Sequence, residues 1–228
     1  MQPRPAPLST SVSAAQSLPR QRLLPVMHLD SFDLAGMVHE TSLAFDAPLS
    51  FGPVTGAQSA ICPAEWLGER IEDALSVANA LGNYSSPIHV SAPMPALGHA
   101  DTPSACEAAV RRARACPQEI CLEFEDAAYC ANQGDALRHV STLRGRGFRI
   151  GIDARKSWQA TTTPPLRMLI DSIRIKADDL DIEADLASRV ADVAAEGVCV
   201  ITDGARWRDR DALTALGVSL AISPKADA

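Results

Sequence analysis

Three segments in the second half of the chain decide its fold by repeating one pattern. Residues 146–153 read RGFRIGID, residues 196–203 read EGVCVITD, and residues 216–224 read LGVSLAISP. In each segment a glycine ends a predicted helix and leads at once into a short apolar strand. The first two strands close on an aspartate, at the strand end where a βα barrel holds its functional side chains. The segments therefore predict βα units with polar groups gathered at one end of a sheet.

The same alternation of helices and strands extends towards the amino terminus. Over residues 63–81 apolar side chains recur at three- and four-residue spacing, which predicts an amphipathic helix that Gly82 ends. Further helices are predicted over 102–115, 135–146, 166–170, 184–195 and 209–216. Strands are predicted over 34–41, 43–51, 88–91, 119–124, 148–152, 172–175, 198–202 and 218–221. About eight alternating strands favour an α/β fold, a TIM-like (β/α)8 barrel. The first two predicted strands leave no room for a helix between them, so one of them is expected to be antiparallel.

The first 27 residues differ in composition from the rest. They are rich in proline, serine and arginine, and no acidic residue precedes Asp30. Such a segment cannot bury a core, so residues 1–27 are predicted to be a disordered tail, with the barrel domain over 28–228. Two alternatives stay open: translation begins at Met27 instead of Met1, or the tail is a basic docking segment.

Composition excludes several classes of protein. The 228 residues are 46% hydrophobic, which suits one barrel-sized domain, and the net charge of −7 disfavours nucleic acid as a partner. No apolar run of about 18 residues exists, so no membrane span is expected. The six cysteines form no C-x-x-C pair, which favours a reducing cytoplasm. A redox pair of Cys121 and Cys130 is a less favoured alternative.

Motifs at the predicted strand ends carry a resemblance to a known family. In the first half of the chain these are residues 46–50 (DAPLS), 61–67 (ICPAEWL), 89–91 (HVS) and 122–126 (LEFED). In the second half they are residues 153–158 (DARKSW), 171–176 (DSIRIK), 202–207 (TDGARW) and 222–224 (ISP). In order and spacing they resemble the motifs of the EAL domain, the bacterial phosphodiesterase barrel that linearises cyclic di-GMP. The resemblance covers the chain from about Asp33 to Pro224.

The resemblance implies a site with two Mg²⁺ or Mn²⁺ ions at the carboxyl ends of the strands. In the family, carboxylates and an asparagine bind the ions, and a bound water attacks phosphorus with the help of a lysine and a glutamate. Here Asp46 stands for the glutamate of the E-A-L-L-R motif, and Ser50 for its phosphate-binding arginine. His89 replaces the asparagine. Glu123 is kept, and Asp126 stands at the last position of the L-E-I-T-E motif.

The later motifs depart further from the family pattern. Asp153 keeps the first aspartate of the D-D-F-G-T-G turn, whereas Ala154 replaces the second. Arg174 stands for the lysine of D-x-I-K-I-D, and Lys176 for its final aspartate. The remaining departures are at the two glutamates of A-E-G-V-E-T and the glutamine of Q-G-Y, which are replaced by Asp203, Arg206 and Ile222.

These changes weaken the support for metal ions. A divalent cation of this kind needs several carboxylates at short range, and Ala154 supplies no oxygen. The side chains of Arg174, Lys176 and Arg206 place three cations near the same rim, where they would neutralise the remaining acids without a metal. No metal is therefore expected; the ligands of one, if bound, would be Asp46, His89, Glu123, Asp153 and Asp203.

The sequence favours a catalytically inactive regulatory protein that binds another protein, in motility or surface attachment by resemblance. Candidate contacts to that partner are Arg155, Lys156, Trp158 and Trp207. One alternative is a cyclic di-GMP receptor that binds without cleaving. The other is a weak cyclic di-GMP phosphodiesterase, which alone would need Mg²⁺ or Mn²⁺ as cofactor. The identity of the partner and the oligomeric state are not predicted.

Overall fold

The computed structural model describes residues 21–41, 62–82, 85–160 and 163–226, in which eight strands close into a barrel. The strands follow one another around the barrel in chain order: β1 (Gln21–His28), β2 (Leu34–Thr41), β3 (Ile88–Ser91), β4 (Ile120–Glu125), β5 (Arg149–Asp153), β6 (Ser172–Lys176), β7 (Cys199–Asp203) and β8 (Leu220–Ile222). Strand β1 is antiparallel to both of its neighbours, β2 and β8, and the other neighbouring pairs are parallel. The predicted TIM-like barrel with one antiparallel strand near the amino terminus is confirmed.

The antiparallel strand is not the one that the sequence predicted. Strand β1 lies in the segment predicted to be a disordered tail, and its Val26 is only 1% exposed and pairs with Gly36 and Ile222. The tail prediction is therefore wrong for residues 21–27, which belong to the barrel. Proline and serine dominate the average composition of this region and conceal the short apolar run of β1, residues 23–27. The rest of the predicted tail and the predicted strand over 43–51 lie outside the described residues.

Helices connect the parallel strands. In chain order they are α1 (Pro63–Leu81), α2 (Met94–Leu97), α3 (Thr102–Arg112), α4 (Asp126–Ala131), α5 (Gln133–Gly145), α6 (Pro164–Arg167), α7 (Asp179–Ile182), α8 (Ala184–Ala195) and α9 (Arg210–Ala215). Each predicted helix is present. The helices α2, α4 and α7, each four to six residues long, were not predicted. Within the described ranges, no helix is long and apolar enough to cross a membrane.

Buried apolar side chains form two clusters. The larger cluster joins the helices to the outer faces of the strands, with Leu67 and Ile71 of α1 and Phe124 of β4 among its members. The smaller cluster lies within the barrel, on the wall built by β1, β2, β7 and β8: Val26, Val38, Ile201 and Ile222. The opposite wall, from β3 to β6, instead buries polar side chains: His89, Glu123, Ser172 and Arg174. The barrel interior is therefore polar on one side only.

The turns from helix to strand explain why glycine recurs in the three segments that predicted the fold. Gly147, Gly197 and Gly217 have φ values of 92°, 87° and 83°, a backbone region that side chains strongly disfavour. At Gly217 a Cβ atom would also lie 2.7 Å from Cβ of Ala194. All three positions favour glycine for its backbone conformation, and Gly217 also for close packing.

Candidate functional site

The barrel brings the predicted site residues to one end. His89 lies in β3, Glu123 in β4 and Arg174 in β6, while Asp153 and Asp203 end β5 and β7. Because parallel strands point the same way, these side chains converge at the barrel mouth. The strand register agrees, since Asp153 pairs with Arg174 and Asp203 pairs with Lys176. Asp46 and Ser50 lie outside the described residues.

Glu123 lies deepest and is held between two cationic groups. Its Oε1 is 2.8 Å from Nδ1 of His89, and its Oε2 is 3.5 Å from a terminal nitrogen of Arg174. All three side chains are at most 4% exposed. Gly151 of β5 leaves space beside Glu123 and Ser172. A Cβ at this position would lie 3.0 Å from Cγ of Glu123 and 2.9 Å from Oγ of Ser172.

Arg155 occupies the space between the two aspartates at the mouth. Its guanidinium donates to both carboxylate oxygens of Asp153, at 2.9 and 2.7 Å. It also donates to Oδ2 of Asp203 at 3.0 Å, and the same oxygen accepts a 2.9 Å hydrogen bond from Arg174. Planar guanidinium groups match carboxylates in this two-pronged manner. Both aspartates therefore already have a cation at their oxygens.

A further ion pair, which the sequence analysis missed, completes this group at the edge of β1 and β2. Glu40 accepts a 2.9 Å hydrogen bond from Arg22, and its other oxygen lies 3.6 Å from Arg174. The signal in the sequence was the position of Glu40, two residues after the inward-facing Val38 and hence on the same face of the strand. We call the whole set the barrel-mouth cluster: Arg22, Glu40, His89, Glu123, Asp153, Arg155, Arg174 and Asp203.

The charges of the barrel-mouth cluster balance. Burial alone would lower the pKa of His89, but the neighbouring Cys121 and Glu123 raise it to about 10, so the imidazole is protonated at neutral pH. Burial would raise the pKa of Glu123, yet His89 and Arg174 hold it below its usual range. Burial would likewise raise the pKa of Asp153, which the hydrogen bonds from Arg155 lower instead. Four cationic side chains then face four carboxylates.

The described residues do not fit the metal ions that the resemblance implies. Magnesium and manganese need carboxylate oxygens that are free to converge on one point. Here the oxygens of Glu123, Asp153 and Asp203 are occupied by guanidinium and imidazolium groups. Within the described ranges, no three acidic, histidine or cysteine side chains are placed to hold a metal ion.

The other departures from the family pattern have separate surroundings. Ala154 is buried, and its backbone N–H donates to the carbonyl of Arg174 at 2.8 Å. Ile222 belongs to the apolar cluster inside the barrel. Lys176 and Arg206 are exposed and form no ion pair with any described residue, which corrects the prediction that they neutralise the acids. Arg155 and Arg22 take that role beside Arg174.

Asp126 organises the loop that follows β5. This carboxylate is 1% exposed and accepts hydrogen bonds from Oγ of Ser157 and from the backbone N–H groups of Gln159 and Ala160, at 3.2, 2.6 and 2.8 Å. The loop thereby holds Trp158 inward, only 9% exposed and 4.6 Å from the guanidinium of Arg189. The ring of Trp158 is buried in this arrangement, and its role as a partner contact stays a prediction.

The remaining predicted partner contacts have different surroundings. Arg155 points into the barrel-mouth cluster, whereas Lys156 is exposed and pairs with Glu125 at 2.8 Å. Trp207 is half-buried under Phe32, with ring centroids 4.8 Å apart, and Phe32 remains 50% exposed. Lys156 and the Phe32–Trp207 pair are therefore within reach of a partner.

Comparisons with known proteins identify the class of barrel. No protein-family model and no curated protein matches the sequence. Solved structures do match: Klebsiella pneumoniae BlrP1 in complex with calcium and cyclic di-GMP has a TM-score of 0.68 and 15% identity, with 90% of this chain and 54% of that chain covered. The PaMucR phosphodiesterase in complex with c-di-GMP has a TM-score of 0.69 and 17% identity, with 90% and 88% covered.

A standalone EAL protein from Vibrio cholerae, in its c-di-GMP-bound form, has a TM-score of 0.66 and 14% identity, with 90% of this chain and 89% of that chain covered. This chain spans only 60% of the EAL enzyme Bd1971 and 54% of BlrP1. At these identities the similarity defines the fold. The chain is folded as an EAL-type barrel, as the resemblance of its motifs implied.

Proposed function

We propose that this EAL-type barrel does not hydrolyse cyclic di-GMP and acts by binding another protein in cyclic di-GMP signalling. One observation carries the first half of the proposal. Arg155 and Arg174 occupy the carboxylates of Asp153, Asp203 and Glu123, where metal-dependent hydrolysis would need open oxygens. A metal ion would have to displace two guanidinium groups that are hydrogen-bonded and largely buried.

The described residues at the mouth do not replace the metal chemistry. Metal ions in such reactions generate the attacking hydroxide and stabilise the charge on phosphoryl oxygens. Ala154 and Ile222 bring no side-chain oxygen to the mouth, and the guanidinium of Arg174 stands where the family pattern has a lysine. With charges balanced inside the cluster, no group there is poised to activate a water molecule.

The hydrolysis test compares the purified chain with its Glu123→Gln variant in the presence of Mg²⁺ or Mn²⁺. We expect neither protein to cleave cyclic di-GMP above the background rate. Turnover by the unmodified chain that disappears in Glu123→Gln would contradict the proposal and favour the weak phosphodiesterase. Calorimetric titration with cyclic di-GMP and Ca²⁺ tests the remaining alternative, because binding of cyclic di-GMP without turnover would identify a receptor.

The second half of the proposal, a protein partner, rests on an exposed aromatic pair. Phe32 is 50% exposed and has a φ of 64°, and its ring lies 4.8 Å from the ring of Trp207 and 5.8 Å from the guanidinium of Arg210. A residue other than glycine in this backbone region carries strain, which tends to be retained at functional positions. Aromatic and arginine side chains also supply much of the binding energy at protein interfaces.

The partner test compares capture by the unmodified chain, by Phe32→Ser and by Met168→Ser from a lysate of the native host. Met168 is a matched control, because it is an apolar side chain that is 81% exposed and lies outside the aromatic pair. We expect a protein that the chain and Met168→Ser both retain and that Phe32→Ser loses. Equal capture by all three would contradict a contact at Phe32. Motility or surface attachment as the pathway, and the cytoplasm as the location, stay predictions.

A further inference from the structure

A cavity opens at the end of the barrel opposite the mouth. It lies at the amino ends of the parallel strands and has a volume of about 150 Å³. An apolar wall of Val26, Ile201 and Leu220 bounds it on one side, and the buried side chains of His89 and Ser172 line the other. A cavity of this volume is large enough for a benzene-sized molecule. It lies below the barrel-mouth cluster, with which it shares only His89.

The cavity adjoins an open depression on the surface of the chain. Arg149, the first residue of β5, and Asp171, which directly precedes β6, line both spaces. The depression is completed by Gln118, Arg144 and Gly147. A molecule whose body fills the cavity would therefore present a polar group at the rim where Arg149 and Asp171 lie.

Arg149 brings an unbalanced positive charge to this rim. Its Nε donates to the carbonyl of Gln118 at 3.0 Å, which holds the exposed guanidinium in place. Among the described residues, Arg149 forms no ion pair. Asp171 is instead occupied by other donors, since its Oδ2 accepts hydrogen bonds from Arg144 at 2.5 Å and from the backbone N–H of Ile150 at 2.9 Å. The terminal nitrogens of Arg149 are therefore available to an anion.

The charges at the rim favour a ligand with one negative charge. A guanidinium offers two parallel donors to the two oxygens of a carboxylate. The carboxylate of Asp171 lines the same rim and would repel a second negative charge on the ligand. The charge of Arg149 also reaches the cavity wall. Burial raises the pKa of the Cys199 thiol there, and Arg149 opposes that rise.

We propose that the amino end of the barrel binds a small monocarboxylate, with its carboxylate at Arg149 and an apolar body of about six carbon atoms inside the cavity. Sites for small ligands combine mainly apolar walls with a few polar groups that fix the orientation, and Arg149 is that group here. Benzoate is a simple probe of this class. The inference stands independently of the proposed protein partner and of the absence of hydrolysis.

The experiment titrates the full chain with benzoate and measures binding by calorimetry. Acetate has the carboxylate without the body, and benzyl alcohol has the ring without the charge. Phenyl phosphate carries nearly two negative charges at about pH 8. We expect benzoate to bind roughly tenfold more tightly than each of the three. Absence of benzoate binding at millimolar concentration, or equal affinity for acetate or benzyl alcohol, would overturn the proposal.

Two variants test the two parts of the site. Arg149→Gln removes the cation, and Ala35→Val narrows the cavity at a lining position without changing any charge. We expect each to weaken benzoate binding roughly tenfold. The matched control is Arg111→Gln, which changes the net charge equally at an exposed position of α3 that lines neither space.

Folding of the variants is checked by circular dichroism and thermal melting. If Ala35→Val does not fold, Arg149→Gln decides alone, since its side chain is exposed. Benzoate binding by Arg111→Gln is expected to equal that of the unmodified chain. Unchanged affinity in Arg149→Gln would place benzoate elsewhere on the molecule, for example at the barrel-mouth cluster, and would contradict the proposal.

Discussion

Arg174 shows at the scale of one residue why an arginine differs from the lysine expected at this position. Its guanidinium reaches Asp203 at 2.9 Å, Glu123 at 3.5 Å and Glu40 at 3.6 Å, from a side chain that is 4% exposed. Two terminal nitrogens of the guanidinium share these acids, whereas a lysine would offer a single ammonium nitrogen. The substitution therefore converts a position of the catalytic pattern into the link between three carboxylates.

Replacing Arg174 tests this role. Arg174→Met keeps much of the apolar stem but leaves Glu123 buried with only His89 as its cation. Removing one partner of a buried ion pair typically costs about 3–5 kcal/mol, so we expect a loss of unfolding free energy of that order. Urea unfolding of Arg174→Met and of Arg206→Met measures it. The exposed Arg206 is the control and should change stability little, and equal losses in the two variants would contradict the assignment.

His89 makes the stability of the chain depend on pH. Its pKa is about 10 in the folded chain against 6.5 for an ordinary histidine, so folding takes up a proton between these values. Its stabilising contribution is complete below pH 6.5 and is lost as the pH rises towards 10, by at most about 1.4 kcal/mol per pH unit. We expect the unfolding free energy to fall more steeply over this window in the unmodified chain than in His89→Gln. Parallel pH profiles for the two proteins would show that His89 is not cationic.

The barrel-mouth cluster was predicted from the sequence only in part. The residue types predicted that arginine would neutralise acids at the mouth, and Arg174 does so. The sequence could not show that Arg155 turns inward, because that depends on the path of the loop that Asp126 anchors. Lys176 and Arg206 have the expected charge but extend into solvent. Sequence reveals which charges are present near a strand end, whereas their pairing is decided by loop geometry.

At the scale of elements, the strands preceded by glycine were predicted and β1 was not. Gly147, Gly197 and Gly217 mark local turns that can be found in the sequence, since their φ values of 83–92° strongly favour glycine. Strand β1 has no such marker, contains Pro25, and forms its pairs with β2 and with β8 at the far end of the chain. Its stability comes from closing the barrel, a long-range interaction that local composition does not report.

Removing β1 should therefore open the barrel. A chain that begins at Met27 lacks most of β1, including Val26, which packs with Val38, Ile201 and Ile222. We expect it to lose cooperative thermal unfolding, or to melt at a clearly lower temperature, because β2 and β8 lose their partner. A chain that begins at residue 21 is the matched control and is expected to melt like the full chain. Identical melting of all three would show that β1 contributes nothing to stability.

At the scale of the whole molecule, the barrel separates two chemical environments along its axis. The mouth holds balanced charges on hydrogen-bonded side chains, and the opposite end holds a small cavity with thiols on a partly apolar wall. His89 and Glu123 connect them, since His89 contacts Cys121 below and Glu123 above. An EAL-type barrel can thus keep its fold while its interior relies on its own cations for charge balance.

For the whole chain, this arrangement predicts that thermal stability does not depend on a metal ion. Neither Mn²⁺ nor a chelator should change the melting temperature of the unmodified chain, because Arg155 already neutralises Asp153 and Asp203. The double variant Ala154→Asp, Arg155→Ala removes that cation and adds a carboxylate. We expect its melting temperature to be lower than that of the unmodified chain and to rise again when Mn²⁺ is added. A ligand present at a hundred times its dissociation constant stabilises a folded protein by about 2.7 kcal/mol, which a thermal melt detects readily. Arg155→Ala alone is the control for the added carboxylate. A melting temperature of the unmodified chain that falls on chelation would mean that a metal ion, and not the arginine, balances the mouth.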